Sequence, residues 1–320
     1  MKQNSHSELP NPQYGRIRSF SARGKRLGEK YKTLQAEFGP QYFLDFPPGT
    51  GISTIREDAR IDLAAAFPHR QPLIIEIGPG SGEQLIHATQ AHPQINFLAL
   101  EAWQPGAARC LAAVVAAGVE NVRIAQLDAA QSLPVLFLPD SDYRAREIWT
   151  FFPDPWRKKK HRKRRLVSPQ FAHIVAGALE PGGCWRLATD WDNYAWQMRD
   201  VLQESPWFDN PYLAQNPDAQ DEGIYAGGFA PRYSGRVLTR FESRGQAAKR
   251  RVHDLYVIRN QVALVAAVVP EDPWVAAAKN GQEVEADRGG ERPPSRTPAS
   301  TRAGKPAPEN QAAPENQERK

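Results

Sequence analysis

Five carboxylates, Glu76, Glu101, Asp128, Asp154 and Asp190, stand at or just after short apolar runs of the chain. One has an unusual setting. In FFPDPWRKKKHRKRR, residues 151–165, Asp154 lies between Pro153 and Pro155, and eight Lys or Arg and one His fill the nine positions from Arg157 to Arg165. The two prolines fix φ on either side of Asp154 and disfavour helical geometry before each ring, so the carboxylate is presented on a loop. The basic run can grip phosphates, and Trp156 offers a stacking face. A nonspecific or nuclear-localisation cluster would carry the same charge, but it needs no rigid PDPW leader.

The elements that position these acids are legible from the apolar pattern. LIIEI (73–77), FLAL (97–100), VRIAQL (122–127), IWTFF (148–152) and CWRLAT (184–189) have the length and composition of buried strands. Helical stretches lie between them. They cover 83–90, 105–117 closed by Gly118, and 171–179 opened by Ser168 with Pro169 at the first helical position. This alternation predicts an α/β fold with a parallel sheet covered on both faces and ligands outside the carboxyl ends of the strands. The five acids fall at those ends.

EIGPGSGE, residues 76–83, turns from the first strand into a helix, and Gly78, Gly80 and Gly82 let the backbone approach a ligand where a Cβ would clash. A dinucleotide fingerprint would need Gly or Ala at the position of Glu83. A carboxylate there repels a diphosphate, which argues against a nicotinamide oxidoreductase. Glu101 stands where an acid accepts hydrogen bonds from ribose hydroxyls, and Asp128 can accept one from an exocyclic amine. An acidic cleft suits S-adenosyl-L-methionine, whose sulfonium and ammonium outweigh its carboxylate. A methyltransferase is the expectation.

Length and composition set the frame. The chain has 320 residues, 41% hydrophobic and 24% charged, enough for one domain plus tails. Cys110 and Cys184 stand singly with no metal-ligand spacing, so no metal and a reduced compartment are expected. No segment has the length of a signal peptide core or a membrane span, and the expectation is a soluble, cytoplasmic protein. The net charge of +5 is concentrated in RIRSFSARGKR (16–26) and in 157–165, because the seven acids from position 280 onward are matched by seven bases. Such concentration predicts a polyanionic partner. The division expected is a basic, partly disordered arm over 1–40, a catalytic domain over 41–270 and a disordered tail over 271–320, where APENQ occurs twice. VLTRFESRG (237–245), beside HDLYVI (253–258), fits a late strand returning Thr239, Arg240 and Glu242 to the cleft or a loop equally well.

The ordered set EIGPGSG, FLALE, FFPDPW with its basic run, ATDW (188–191) and TRFESRG resembles the bacterial tRNA (guanine-N7)-methyltransferase family over roughly Arg16 to Arg259. The resemblance implies a Rossmann-like class I methyltransferase fold with a seven-stranded, mostly parallel sheet, and as substrate guanine 46 of the tRNA variable loop. By matching motif positions, Glu76, Glu101, Asp128 and Asp154 would contact S-adenosyl-L-methionine beside the glycines at 78, 80 and 82. Lys158, Asp190, Thr239, Arg240, Phe241 and Glu242 would meet the guanosine or its surroundings. Lys160, His161, Arg162, Lys163, Arg164 and Arg165 would meet RNA backbone. Arg240 stands where the family often has lysine, and Pro79 where a larger apolar residue is usual. Guanine N7 needs no base to free its lone pair, so Asp154 would orient or stabilise. A monomer or a homodimer is expected. Acids at all five strand ends argue against a non-catalytic RNA-binding relative.

Overall fold

The computed structural model describes residues 18–20, 27–213 and 226–264. The predicted arm at 1–17 and 21–26, and the tail from 265 onward, lie outside the described residues. A seven-stranded sheet runs through the middle in the order β3-β2-β1-β4-β5-β7-β6. Its strands are β1 (Leu73–Ile77), β2 (Asn96–Leu100), β3 (Val122–Ala125), β4 (Ala145–Phe151), β5 (Leu179–Thr189), β6 (Phe208–Asp209) and β7 (His253–Arg259). The first five are parallel, and β7 is antiparallel to both β5 and β6. The central strands are apolar on both faces because helices cover both.

On one face α1 (Glu29–Tyr42), α2 (Glu83–Ala91) and α3 (Gln104–Ala117) pack through Tyr42, Leu85 and Leu111 onto Ile74, Phe97 and Trp149. On the other, α4 (Ala129–Leu136), α5 (Pro169–Ala178) and α6 (Asp192–Glu204) pack through Leu133, Phe171 and Met198 onto Ile75, Leu98 and Leu187. The predicted cap at Ser168 is present, its hydroxyl accepting from the Phe171 amide at 3.2 Å. A short helix, α7 (Arg240–Ala247), precedes β7.

Two expectations need correction. VLTRFESRG is not a strand: residues 240–247 form α7, with Thr239 as N-cap accepting from the Glu242 amide at 3.2 Å. The boundary at 40/41 falls inside α1, which belongs to the core through Tyr42 and the partly buried Leu34 and Phe38. Phe43 then pairs with Ile124 beside β3. Among the described residues, no helix is long and apolar enough to cross a membrane, and no cluster of His, Cys, Asp or Glu is grouped to hold a metal ion.

The packing of α1 has a measurable consequence. Removing residues 1–27 should lower the unfolding free energy only slightly, whereas removing residues 1–43 should lower it by at least about 3 kcal/mol more, at roughly 1.5 to 3 per lost apolar side chain. Equal urea midpoints for the two truncations would place α1 outside the core.

Candidate active site

The carboxyl ends of β1, β2, β4 and β5 converge, as the acid positions require. Glu76 is 4% exposed, and one of its carboxylate oxygens, Oε2, is buried with no hydrogen-bond partner. Burial, and then the nearby Glu101, push its pKa up to about 8. Glu101 is also buried, and its carboxylate accepts from the amides of Gly80 at 3.0 Å and Trp103 at 2.9 Å. Burial raises its pKa, the two amides and Arg109 oppose the rise, and Asp154 adds to it. Three carboxylates therefore sense one another in one site.

The glycine loop is built to approach a ligand. Gly78 and Gly80 have φ of 76° and 58°, and a Cβ at either would meet no protein atom within 4 Å. Open space above a backbone in the left-handed region is a cradle. Gly106 lies directly against Glu101, where a Cβ would come within 2.8 Å of the carboxyl carbon. The orphaned Glu76 oxygen, the cradle and the acidic donor set fit the cationic S-adenosyl-L-methionine. Asp128 does a second job: it is buried and caps α4, accepting from the Ala130 amide at 3.2 Å.

The PDPW loop leaves β4 through an abrupt turn. Phe152 and Trp156 have φ of 53° and 43°, so two residues in the sparsely populated left-handed region bracket Pro153–Pro155. Asp154 is exposed as a residue, but the loop around it desolvates the carboxyl partly, which raises its pKa, opposed by Arg164. Phe152 meets Phe241 of α7 with ring centroids 5.7 Å apart.

Lys158 leads into a 3-10 turn, Lys159–Arg164, that presents Lys160 and Lys163 to solvent, with His161 and Arg162 half-buried. The His161 ring lies edge-on to Trp156 at 6.0 Å. Arg164 stacks on Trp156 at 3.6 Å and donates to the carbonyls of Arg18 and Phe20, while the Trp156 indole donates to that of Ser19 at 2.9 Å. The described part of the arm is thus fastened to the basic turn. Arg165, unlike its neighbours in the run, is buried. It is 5% exposed, stacks on Tyr194, and donates to Pro155 O at 2.8 Å and Gln197 Oε1 at 2.6 Å, bracing the loop from beneath.

The late segment is divided in its roles. Arg240 and Phe241 are exposed, whereas Glu242 is 1% exposed. It binds Arg236 at 2.8 Å and Arg232 at 3.2 Å. Arg236, itself buried, also holds Asp254 at 2.7 Å and lies over the Phe152 ring at 5.3 Å. Asp190 is buried, accepts from Arg250 at 2.8 Å, and touches α7 so closely that a Cβ on Gly245 would come within 2.6 Å of it.

The sequence reading missed several residues that build this site. Glu83, noted only as an obstacle to a diphosphate, accepts from the Arg240 amide at 2.9 Å. Gln84 clasps the same segment, donating to Gly235 O and accepting from the Val237 amide. Ser53, at φ 55°, donates to Ala102 O and accepts from the Asp128 amide, tying a loop across the ends of β2 and β3. The glycines in GTGIST, residues 49–54, were the signal for that turn.

A family model described as "Putative methyltransferase" matches residues 70–255, which spans every strand except the last residues of β7. A tRNA (guanine-N(7)-)-methyltransferase of Cutibacterium acnes is 40% identical over 238 residues, covering 74% of this chain and 81% of its own. The chain belongs to the tRNA (guanine-N7)-methyltransferase family. A second relative of that name, from Nocardioides sp., is 38% identical over 77% of this chain and 89% of its own length. This member of the family is an S-adenosylmethionine-dependent enzyme with the Rossmann-like fold described above.

The state of Glu76 yields a test by stability. Its folded pKa near 8 exceeds the unfolded value of 4.5, so the folded chain holds the extra proton between these limits. This contribution to stability is complete below the unfolded value and is lost as pH rises through the folded one. Without cofactor, Glu76→Gln should gain on the parent steadily in thermal stability from pH 5 to pH 8.5, reaching on the order of a few kcal/mol. It should also bind S-adenosylmethionine about tenfold or more weakly, the loss of one charge-assisted contact. Parallel stability curves would show that Glu76 does not carry the proton.

Proposed function

We propose that the protein transfers the methyl group of S-adenosylmethionine to N7 of guanine 46 in the tRNA variable loop. One arrangement carries this reading: Asp154, exposed on a rigid loop, lies between a buried carboxylate site on one side and a basic turn with an aromatic pair on the other. A cationic donor and an anionic polymer can meet only at such a junction. Family membership supports the reaction class.

The cofactor supplies an electrophilic methyl group on a sulfonium. The chain has little acid–base work to do, since N7 presents an in-plane lone pair. Its contribution is positioning and exclusion of water. The glycine loop and Glu101 hold the nucleoside part, Glu101 by accepting from ribose hydroxyls, while Glu76 supplies negative charge toward the cationic end and Asp128 the acceptor beyond β3. Phe241 and Phe152 offer the guanine a face. Asp154 orients the base and offsets the positive charge that builds as N7 becomes quaternary. Thr239, Arg240, Lys158 and Asp190 surround the nucleoside, and Glu242 acts through its ion pairs by fixing α7. Lys160, His161, Arg162 and Lys163 contact the backbone. Arg164 joins them by fastening the arm, and Arg165 supports the loop.

The reading is tested by incubating the enzyme with labelled S-adenosylmethionine and bulk tRNA lacking the modification, then analysing nucleosides and mapping the site. Label should appear as 7-methylguanosine in the variable loop; label in another nucleoside or another loop would refute the assignment. In the same assay Asp154→Ala should lower kcat by about 100-fold or more, the scale of one lost electrostatic contact to developing charge. Its melting temperature should change little, because Asp154 stands on an exposed loop outside the hydrophobic core. Unchanged turnover at saturating substrates would remove Asp154 from the mechanism.

A further inference from the structure

We propose that α7 and the turn after it form a second wall of the tRNA site, a phosphate-binding face distinct from the basic turn at 159–164. The inference rests on tRNA being the substrate. From Arg232 to Arg251 the chain carries seven bases and a single acid, Glu242. That acid is buried between Arg232 and Arg236, so nothing negative from this segment reaches its surface. Arg240, Arg244, Lys249 and Arg251 are exposed, and the Arg240 side chain is 89% so.

The arrangement is costly for a helix that meets only water. Arg240 and Arg244 are four residues apart on one face of an eight-residue helix, a like-charge spacing that destabilises by a few tenths of a kcal/mol. Arg240 also occupies the first helical position, where the helix dipole disfavours a cation. Glu83 relieves only that one, at 3.5 Å. An anion lying along the face removes the remaining conflict.

The position of α7 identifies the anion. Its start is tied to α2 through Glu83, and its end is pressed on Asp190 by Gly245 and Arg250. The helix therefore spans the rim from the cofactor loop to the end of β5. Through the Phe152–Phe241 contact it faces the PDPW loop, from which the first basic turn continues. Among the described residues only four large apolar side chains are exposed, and two of them, Leu238 and Phe241, are at the start of α7. Cations on two sides with an aromatic and aliphatic floor between them suit a polynucleotide whose phosphates lie along the walls and whose base enters the middle.

The test is the salt dependence of binding to bulk tRNA by the full chain. Arg244→Ala combined with Lys249→Ala should make the plot of log affinity against log salt shallower by about 1.4 to 1.8, twice the 0.7 to 0.9 expected per lost phosphate contact. The affinity for S-adenosylmethionine should stay at the parent value, and the pair Arg244→Lys with Lys249→Arg should restore the slope. A parent slope in the double alanine variant overturns the proposal. The two readings fail separately: methylation of guanine N7 with an unchanged slope removes the second wall and keeps the substrate. A reduced slope with no methylation of tRNA removes the substrate assignment and keeps an RNA-binding face.

Discussion

The site depends on keeping carboxylates buried at the strand ends without letting the surrounding cations neutralise them. Glu76 and Glu101 share a low-dielectric site in which burial raises both pKa values. The protein is rich in arginine close by, and an arginine reaching inward would fill the site that the cofactor needs. Three rim arginines are instead engaged by aromatic faces. Arg109 lies over Trp103 at 4.6 Å, Arg164 over Trp156 at 3.6 Å and Arg157 over Trp191 at 4.7 Å. Each tryptophan follows a strand-end acid by one or two residues: Glu101, Asp154 and Asp190. Stacking holds a guanidinium in place while leaving its charge available. The three guanidinium groups are thereby held at tryptophan faces beside the strand-end acids; in the proposed function these cations face the RNA and the buried carboxylates face the cofactor.

The same separation explains the buried ion network behind α7. Arg236 joins Glu242 and Asp254 and lies over Phe152, so α7, β7 and the root of the PDPW loop share one buried cation. Burying such a group contributes little net stability, but removing one partner leaves uncompensated charge. The network fixes geometry more than it adds free energy. Glu83 and Gln84 hold the opposite side of the same segment. The glycine loop leading into α2 and the helix α7 are thus parts of one connected frame.

Much of the fold was legible because β1 to β5 are short, apolar and followed by helical stretches, and because acids stand at their ends. What escaped the sequence has physical reasons. At the start of α7 Phe241, and Leu238 just ahead of the helix, are exposed while Glu242 is buried, which inverts the periodicity that marks a helix. In α1 only Gly39 and Tyr42 are buried, and Pro40 interrupts the pattern, so the helix looked like part of a basic arm. Arg165 closes a run of identical charge, and nothing local distinguishes it from Arg164. Its burial depends on Gln197 and Tyr194, some thirty residues away. Long-range pairing of that kind leaves no mark on local composition, whereas Asp154 was found because its prolines are adjacent.

The most direct test of charge separation at the site is the relative affinity of S-adenosylmethionine and S-adenosylhomocysteine as a function of pH, measured by calorimetry on the full chain. The two ligands share the nucleoside and amino acid parts and differ by the methyl group and the sulfonium charge. With Glu76 titrating near 8, the preference for the cationic ligand over the neutral one should grow from pH 6.5 to pH 8.5, and more protons should be released on binding the cation. A ratio of affinities constant across that range, with equal proton release for the two ligands, would contradict the account.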